Sequence, residues 1–236
     1  MGRQGSSVVA WRSEGVSGAL CGASGLPYGE NGPAMNPAQQ HATLITLARR
    51  CPWLMEALAA VRELGLADWC IGAGAIRNLV WDALHGHAQP SALSDVDVAV
   101  FEPLAPGPAA EQLARAQARD AQLQARLQAR LPGLPWELTN QAAVHLWFED
   151  CFGHAVAPLG SLEEAVASWP EYATAVGLRL AADGALQVIA PLGLDDLFAM
   201  RVRRNPRRVS LATYARRVAS KRYAERWPQV QVLPAD

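Results

Sequence analysis

Two aspartates one residue apart, Asp95 and Asp97, stand in the run Ser94-Asp95-Val96-Asp97-Val98-Ala99-Val100-Phe101. Valine and phenylalanine make the run a short strand over Asp95 to Phe101. Alternate side chains of a strand share a face, so the two carboxylates project together while Val96 and Val98 turn toward a core. Neighbouring carboxylates repel, and a divalent cation between them relieves the repulsion. Mg²⁺ takes few protein carboxylates and keeps coordination places for water and substrate phosphates. An Asp-x-Asp on a strand therefore suits phosphoryl or nucleotidyl transfer.

A glycine turn, Ile71-Gly72-Ala73-Gly74-Ala75-Ile76-Arg77-Asn78, precedes the pair in the chain. Glycine lets a backbone approach phosphate closely, and a helix N-terminus offers free amides at the positive end of a dipole. Arg77 in a first helical turn opposes that dipole, which favours a phosphate partner for its fork of donors. Gly72, Ala73, Gly74, Arg77, Asn78 and Ser94 are the residues expected to hold a nucleotide. Asp95 and Asp97 are expected to hold Mg²⁺. A third carboxylate commonly serves as base or second-metal ligand. Glu137, between Trp136 and Leu138 on a following strand, is placed for that; Glu149 and Asp150 fall at a strand end.

The elements that must position these groups follow from periodicity. Residues 1–34 are rich in glycine and serine without a pattern and read as disordered. Met35 before Asn36-Pro37 reads as the biological start, the earlier residues being a non-native extension; 35–236 then form one domain. Asn36 is an N-cap with proline at N1, and helical spacing runs from Pro37 to Leu64 with a restart at Pro52 and a stop at Gly65. Asp68 to Ile71 reads as a strand, Arg77 to Leu84 as a helix, and Pro108 to Leu131 as a long helix crossing over to a strand from Trp136 to Phe148. Short helices are expected at Leu162 to Ala167 and Tyr172 to Ala175. Strands Leu178 to Ala181 and Leu186 to Ile189 flank the hairpin turn Asp183-Gly184. Asp195 or Asp196 is expected to cap a helix running to Arg203, and a last helix covers Leu211 to Arg226 with Leu211, Tyr214, Val218 and Trp227 inward. His145 is expected to be a hydrogen-bonded core histidine. The fold class is α/β (α+β): a mixed sheet flanked by helices, with helical N- and C-terminal additions.

Half of the 236 residues are hydrophobic, enough for a substantial core, and the net charge is −1. That balance exerts no general pull on nucleic acid or acidic membranes. Cations do gather between Arg201 and Arg226, where Lys221 is the only lysine of the chain. Arg201, Arg203 and Arg204 are expected nearer the cleft than Arg216 and Arg222. Cys21, Cys51, Cys70 and Cys151 lack the clustering of a disulfide framework or a zinc site, which points to a reducing cytoplasm. No apolar run approaches the ~20 residues that span a bilayer.

The Gly-Ala-Gly-Ala-Ile-Arg-Asn turn, a helix, then Ser-Asp-Val-Asp-Val resembles the core of the DNA polymerase β-like nucleotidyltransferases, in particular the head domain of bacterial CCA-adding enzymes. The chain is more similar still to a small bacterial nucleotidyltransferase-like family of unassigned substrate. Trp136-Glu137, Asn140-Gln141, His145 and the Gly193 to Leu197 segment carry that resemblance, which covers roughly Trp53 to Pro234. It implies Asp95 and Asp97 as metal aspartates, Glu137 as third carboxylate, and Gly72, Gly74 and Arg77 as a triphosphate turn. CCA-adding enzymes have Asp where Asn78 stands and a glycine pair where Ala73 interrupts, and this chain lacks their tRNA-binding neck and body. The resemblance thus implies nucleotidyl transfer without implying CCA addition.

The expected activity is Mg²⁺-dependent transfer of a nucleoside monophosphate from an NTP, ATP among them, to a small-molecule acceptor, with RNA not favoured. Two alternatives stay open. One is a non-catalytic nucleotide-binding or regulatory module on the same fold. The other is an NAD(P)-binding unit, since Gly72-x-Gly74 with Asp95 downstream fits part of a dinucleotide fingerprint; Arg77 occupies its third glycine position. Nothing in the sequence assigns an oligomeric state.

Overall fold

Asn36 opens the fold as expected: its Oδ1 accepts from the Gln39 amide at 3.0 Å while the Gln39 side chain returns a bond to the Asn36 amide at 2.9 Å. This capping box starts α1 (Pro37–Arg49), and Pro52 starts α2 (Pro52–Arg62). The computed structural model describes residues 35–234, so the readings of 1–34 as disordered or non-native lie outside the described residues. Strand β1 (Trp69–Gly72) leads through Ala73 into α3 (Gly74–Leu84), one turn earlier than the sequence pattern suggests. Strand β2 (Val96–Val100) is followed by α4 (Ala109–Arg130) and β3 (Trp136–Asn140).

The expected long strand to Phe148 ends at Asn140. The Asn140 side chain accepts from the Ala142 amide at 3.1 Å and donates to the Glu102 carbonyl at 2.9 Å. That local bond turns the backbone into a 3-10 helix, Gln141–Leu146, and then α5 (Phe148–Phe152). Next come α6 (Leu162–Val166), a 3-10 turn at Tyr172–Thr174 and the hairpin of β4 (Gly177–Leu180) and β5 (Leu186–Ile189). Helix α7 (Asp195–Phe198) stops at once instead of reaching Arg203, because Met200 takes a φ of 52° and β6 (Arg201–Val202) pairs with β7 (Gln231–Val232). Asp195 and Asp196 occupy its first turn rather than capping it; Asp195 accepts from Gln40 and Asp196 from Arg203. The last helix breaks at Arg222, which adopts a left-handed φ of 48°, into α8 (Leu211–Lys221) and α9 (Tyr223–Arg226).

The main sheet has the order β3-β2-β1-β4-β5, with β2 and β3 parallel through the α4 crossover and the other neighbours antiparallel. Its two faces alternate residue by residue. Val96, Val98, Val100, Ile71 and Leu138 enter the main core, which α1–α4 and the C-terminal Tyr214, Tyr223 and Trp227 complete. Cys70 and Ala99 point the other way, into a smaller cluster with Leu162 and Val166 of α6. Leu211, expected inward, is 53% exposed. Among the described residues no helix is long and apolar enough to cross a membrane.

Candidate active site

Asp97 belongs to the second face of the sheet, between buried Val96 and Val98. The parallel register pairs it directly with Glu137 on β3, so these two side chains stand next to each other on one face. The antiparallel register that sets Ile71 against Val98 brings Gly72 to the same level. Asp95 precedes β2 and reaches over the turn, where its Oδ1 lies 3.9 Å from the point a Cβ on Gly74 would occupy. Burial, then the charge of Asp95, then that of Glu137 push the Asp97 carboxyl up to about 7, against an ordinary 3.8. Partial desolvation and Asp95 raise Glu137 in the same direction. Among the described residues, neither aspartate nor Glu137 has a hydrogen-bond or ion-pair partner. The three carboxylates therefore form a patch of negative charge that no protein group among the described residues contacts directly, with Lys221 and Arg217 acting on it only at longer range.

The turn beneath them divides into parts with different reasons. Gly72 is required by packing: an added Cβ would lie 2.5 Å from the Trp169 ring and 2.7 Å from the Val176 carbonyl. Ala73 holds φ 50°, ψ −120°, a conformation made for glycine, and it carries no side-chain cap for α3. Gly74 has room for a Cβ on steric grounds. Arg77 departs from expectation. It is 4% exposed, and its Nε and Nη2 both donate to Asn78 Oδ1 at 3.2 and 2.7 Å. Its guanidinium lies 5.1–5.4 Å from the ring centres of Trp81, Tyr223 and Trp227. A guanidinium inside three rings presents no fork to solvent; it is a buried cation behind the turn, and burial lowers its pKa. Asn78 is the partner of that cation. Ser94 is exposed at the rim.

Helix α8 roofs the cleft, and one side of it, Thr213, Arg217 and Lys221, faces three hollows in a row. The central hollow, about 210 Å³, is lined by Ala73, Asp97, Glu137, Thr139, Trp169 and Arg217. On one side lies an open groove of about 530 Å³ between Ser91–Ser94 and Lys221, Arg222, Glu225 and Arg226, with Arg222 paired to Glu225. On the other is an aromatic hollow of about 210 Å³. Arg217 is fixed by buried Glu171, with contacts of 2.8 and 3.2 Å. The charges of Lys221 and Arg217 act on Asp97, and that of Lys221 on Glu137. The expectation for Arg201, Arg203 and Arg204 fails: none of them lines these hollows. Strand β6 carries them away, and Arg203 is held by Asp196 at 2.6 Å and over the Tyr172 ring at 3.7 Å. His145 sits in the 3-10 helix with its buried Nδ1 unpartnered, not hydrogen-bonded as expected. A cavity of about 50 Å³ behind Asn78 and Asp82 is too small for a nucleotide.

The nucleotidyltransferase family profile matches residues 59–232, a span that holds the turn, all three carboxylates and α8. The chain belongs to this nucleotidyltransferase family. A solution NMR structure described as revealing a CCA-adding enzyme head domain is similar, with a TM-score of 0.65 and 26% identity over 85% of this chain and 97% of that one. A tRNA-processing enzyme in an apo form aligns at a TM-score of 0.39 and 17% identity, over 85% of this chain and 45% of its own. No curated protein matches. In this nucleotidyltransferase, sequence reasoning missed Arg217, Lys221 and the aromatic hollow. The four-residue spacing of Thr213, Arg217 and Lys221 was a signal that could have found the first two.

Among the described residues, no three Asp, Glu, His or Cys side chains converge closely enough to hold a metal ion by themselves. The donor chemistry still fits Mg²⁺, a hard cation that takes one or two carboxylates and completes its shell with water and substrate phosphates.

Proposed function

We propose that the chain transfers a nucleoside monophosphate from an NTP to an acceptor hydroxyl, with Mg²⁺ held by Asp95 and Asp97. The observation that carries this reading is the Asp97–Glu137 register pair with Asp95 beside it, a carboxylate patch with no ion-pair partner among the described residues. Bound Mg²⁺ would neutralise triphosphate charge and polarise the reacting phosphoryl oxygen. Glu137, which would be base or further ligand, borders the central hollow where an acceptor hydroxyl must lose its proton. The hydroxyl oxygen bonds to the α-phosphorus, the bond to the bridging oxygen breaks, pyrophosphate leaves and the hydroxyl proton passes to a cleft carboxylate. The α3 amides behind Ala73, and Lys221 beside Ser94, are the groups placed to receive phosphates. Arg77 supports the turn from behind.

A small acceptor is favoured over a long nucleic acid. Arg217 is engaged by Glu171, Arg222 by Glu225 and Arg226 by the Ala92 carbonyl. Few cations remain for a run of phosphates. The test is pyrophosphate release from each NTP with Mg²⁺ and a small-molecule cell extract. Release by wild type and none by Asp97→Asn is expected. NTP binding without release would favour a binding module, and Mg²⁺-independent NAD(P) binding would favour the dinucleotide reading.

A further inference from the structure

The aromatic hollow beside the carboxylates has no part in binding triphosphate, and its walls are specific. Phe148 and Phe152 meet at a tilt of 37° with ring centres 4.4 Å apart, and Trp147 lies 6.2 and 6.5 Å from them. Trp169, whose ring covers Gly72, lines both this hollow and the central one, as do Thr139, Gln141 and Arg217. The hollow is therefore continuous with the reaction centre. Phe152 is one of only three large hydrophobics among the described residues that remain exposed, at 39%. A volume of about 210 Å³ exceeds the ~150 Å³ that accommodates a benzene ring in a protein interior.

Charge in the hollow has one sign. No carboxylate lines it. Arg217 is matched by Glu171. Arg208 has no carboxylate partner among the described residues; its Nη2 donates to the Ala157 carbonyl, and its guanidinium lies 5.8 Å from the Phe148 ring centre. A half-buried guanidinium against an aromatic wall, in contact with no carboxylate and with Glu164 acting on it only at longer range, recognises an anion carried on a ring.

The order of the hollows decides the occupant. In an in-line displacement, attacking and leaving oxygens lie on opposite sides of the phosphorus. Lys221, which has no ion-pair partner among the described residues, gives the groove beside Ser94 a cation for the departing pyrophosphate, and the carboxylates stand between that groove and the aromatic hollow. The attacking group must then enter from the aromatic side. We propose that this hollow is the acceptor site, and that the acceptor is a small molecule bearing a planar ring and an anionic group, seated on Trp147, Phe148, Phe152 and Trp169 with its anion on Arg208. The chemistry is the one given above: the acceptor oxygen bonds to the α-phosphorus, pyrophosphate leaves, and the hydroxyl proton goes to a cleft carboxylate. This proposal rests on the nucleotidyl-transfer reading.

The test uses indole N–H signals of the full-length ¹⁵N-labelled protein, with Trp147 and Trp169 assigned from W147F and W169F. Mg–ATP is titrated first, then 3-hydroxybenzoate, benzyl alcohol and glycerol 3-phosphate. Both indole signals should move with 3-hydroxybenzoate. Benzyl alcohol should bind about tenfold more weakly for want of the charge-assisted contact, and glycerol 3-phosphate should leave both signals unmoved. R208Q should reduce 3-hydroxybenzoate to the level of benzyl alcohol. F152A, at a position 39% exposed, should weaken both ring ligands about tenfold through lost stacking. Unmoved indoles, or equal shifts from glycerol 3-phosphate, would overturn the acceptor site even where Mg–ATP binds. Larger, Arg208-dependent shifts from a tRNA pool would overturn the small-molecule class. Failure of Mg–ATP to bind is a separate result and would remove the nucleotidyl-transfer reading itself.

Discussion

Glu171 and Asp97 both feel the charge of Arg217, and the fold treats them in opposite ways. Glu171 is 1% exposed and has every need met: a two-point pair with Arg217, a 2.9 Å bond from Thr174 Oγ1 and a 3.4 Å contact from Tyr223 Oη. Asp97 has no such partner, and two more carboxylates press on it. A buried charge that is fully paired fixes geometry; here it pins α8 over the sheet. One left unpaired is held at the expense of stability, in readiness for something that the fold itself lacks. The same contrast separates Arg77, enclosed by three rings and Asn78, from Lys221, which faces the cleft.

Exchanging the roles of these groups should have graded consequences. The largest belongs to Asp97→Asn, which should lower pyrophosphate release by about a thousandfold or more, because charge stabilisation at the reacting phosphoryl group is worth several kcal/mol; circular dichroism should show the fold retained. Glu171→Gln should act on stability instead. Leaving Arg217 without its carboxylate should cost about 3 kcal/mol, read by chemical denaturation, and activity should fall only as α8 loosens. Equal stability losses in the two variants would erase the distinction.

The third consequence concerns pH. An acid whose folded pKa of about 7 lies above its unfolded value of 3.8 binds its proton more tightly in the native state. Its contribution to stability is therefore full at low pH and falls as pH rises through that window. In EDTA, Asp97→Asn should melt above wild type at pH 8, and the gap should close near pH 4. Mg–ATP should narrow it by stabilising wild type alone. A gap independent of pH would show that Asp97 is not strained by its neighbours. The smallest effect is expected at Ala73, where φ 50° is strained for any residue with a Cβ. Ala73→Gly should raise stability by about 1 kcal/mol or less, the relief of strain being partly offset by a freer unfolded chain.

Local signals were legible in the sequence wherever one segment decides its own structure. The Asn36 box, the Pro52 restart and the Asp183-Gly184 hairpin each depend on neighbours in the chain, whereas the strand expected from Asp95 begins at Val96 and leaves Asp95 in the approach to it. The parallel pairing of β2 with β3, which places Glu137 against Asp97, followed from a helix joining two strands. What failed was decided at a distance or by a single backbone angle. Arg77 reads as a phosphate ligand until Tyr223 and Trp227 close around it, and both follow Arg222, which breaks the last helix in a left-handed conformation. Asn140 ends β3 through a bond to the backbone two residues on, which strand alternation does not register. The placing of Arg203 away from the cleft depends on Asp196 and Tyr172, whose meeting the sequence pattern does not announce.

The central claim is that the unpaired carboxylates form a metal–triphosphate site, and calorimetry of the wild-type protein and Asp97→Asn with ATP, with and without Mg²⁺, tests it most directly. The account predicts saturable binding to wild type only when Mg²⁺ is present, weakened at least tenfold in Asp97→Asn, a difference of about 1.4 kcal/mol or more. Binding that is indifferent to Mg²⁺, or equal in the two proteins, would contradict it.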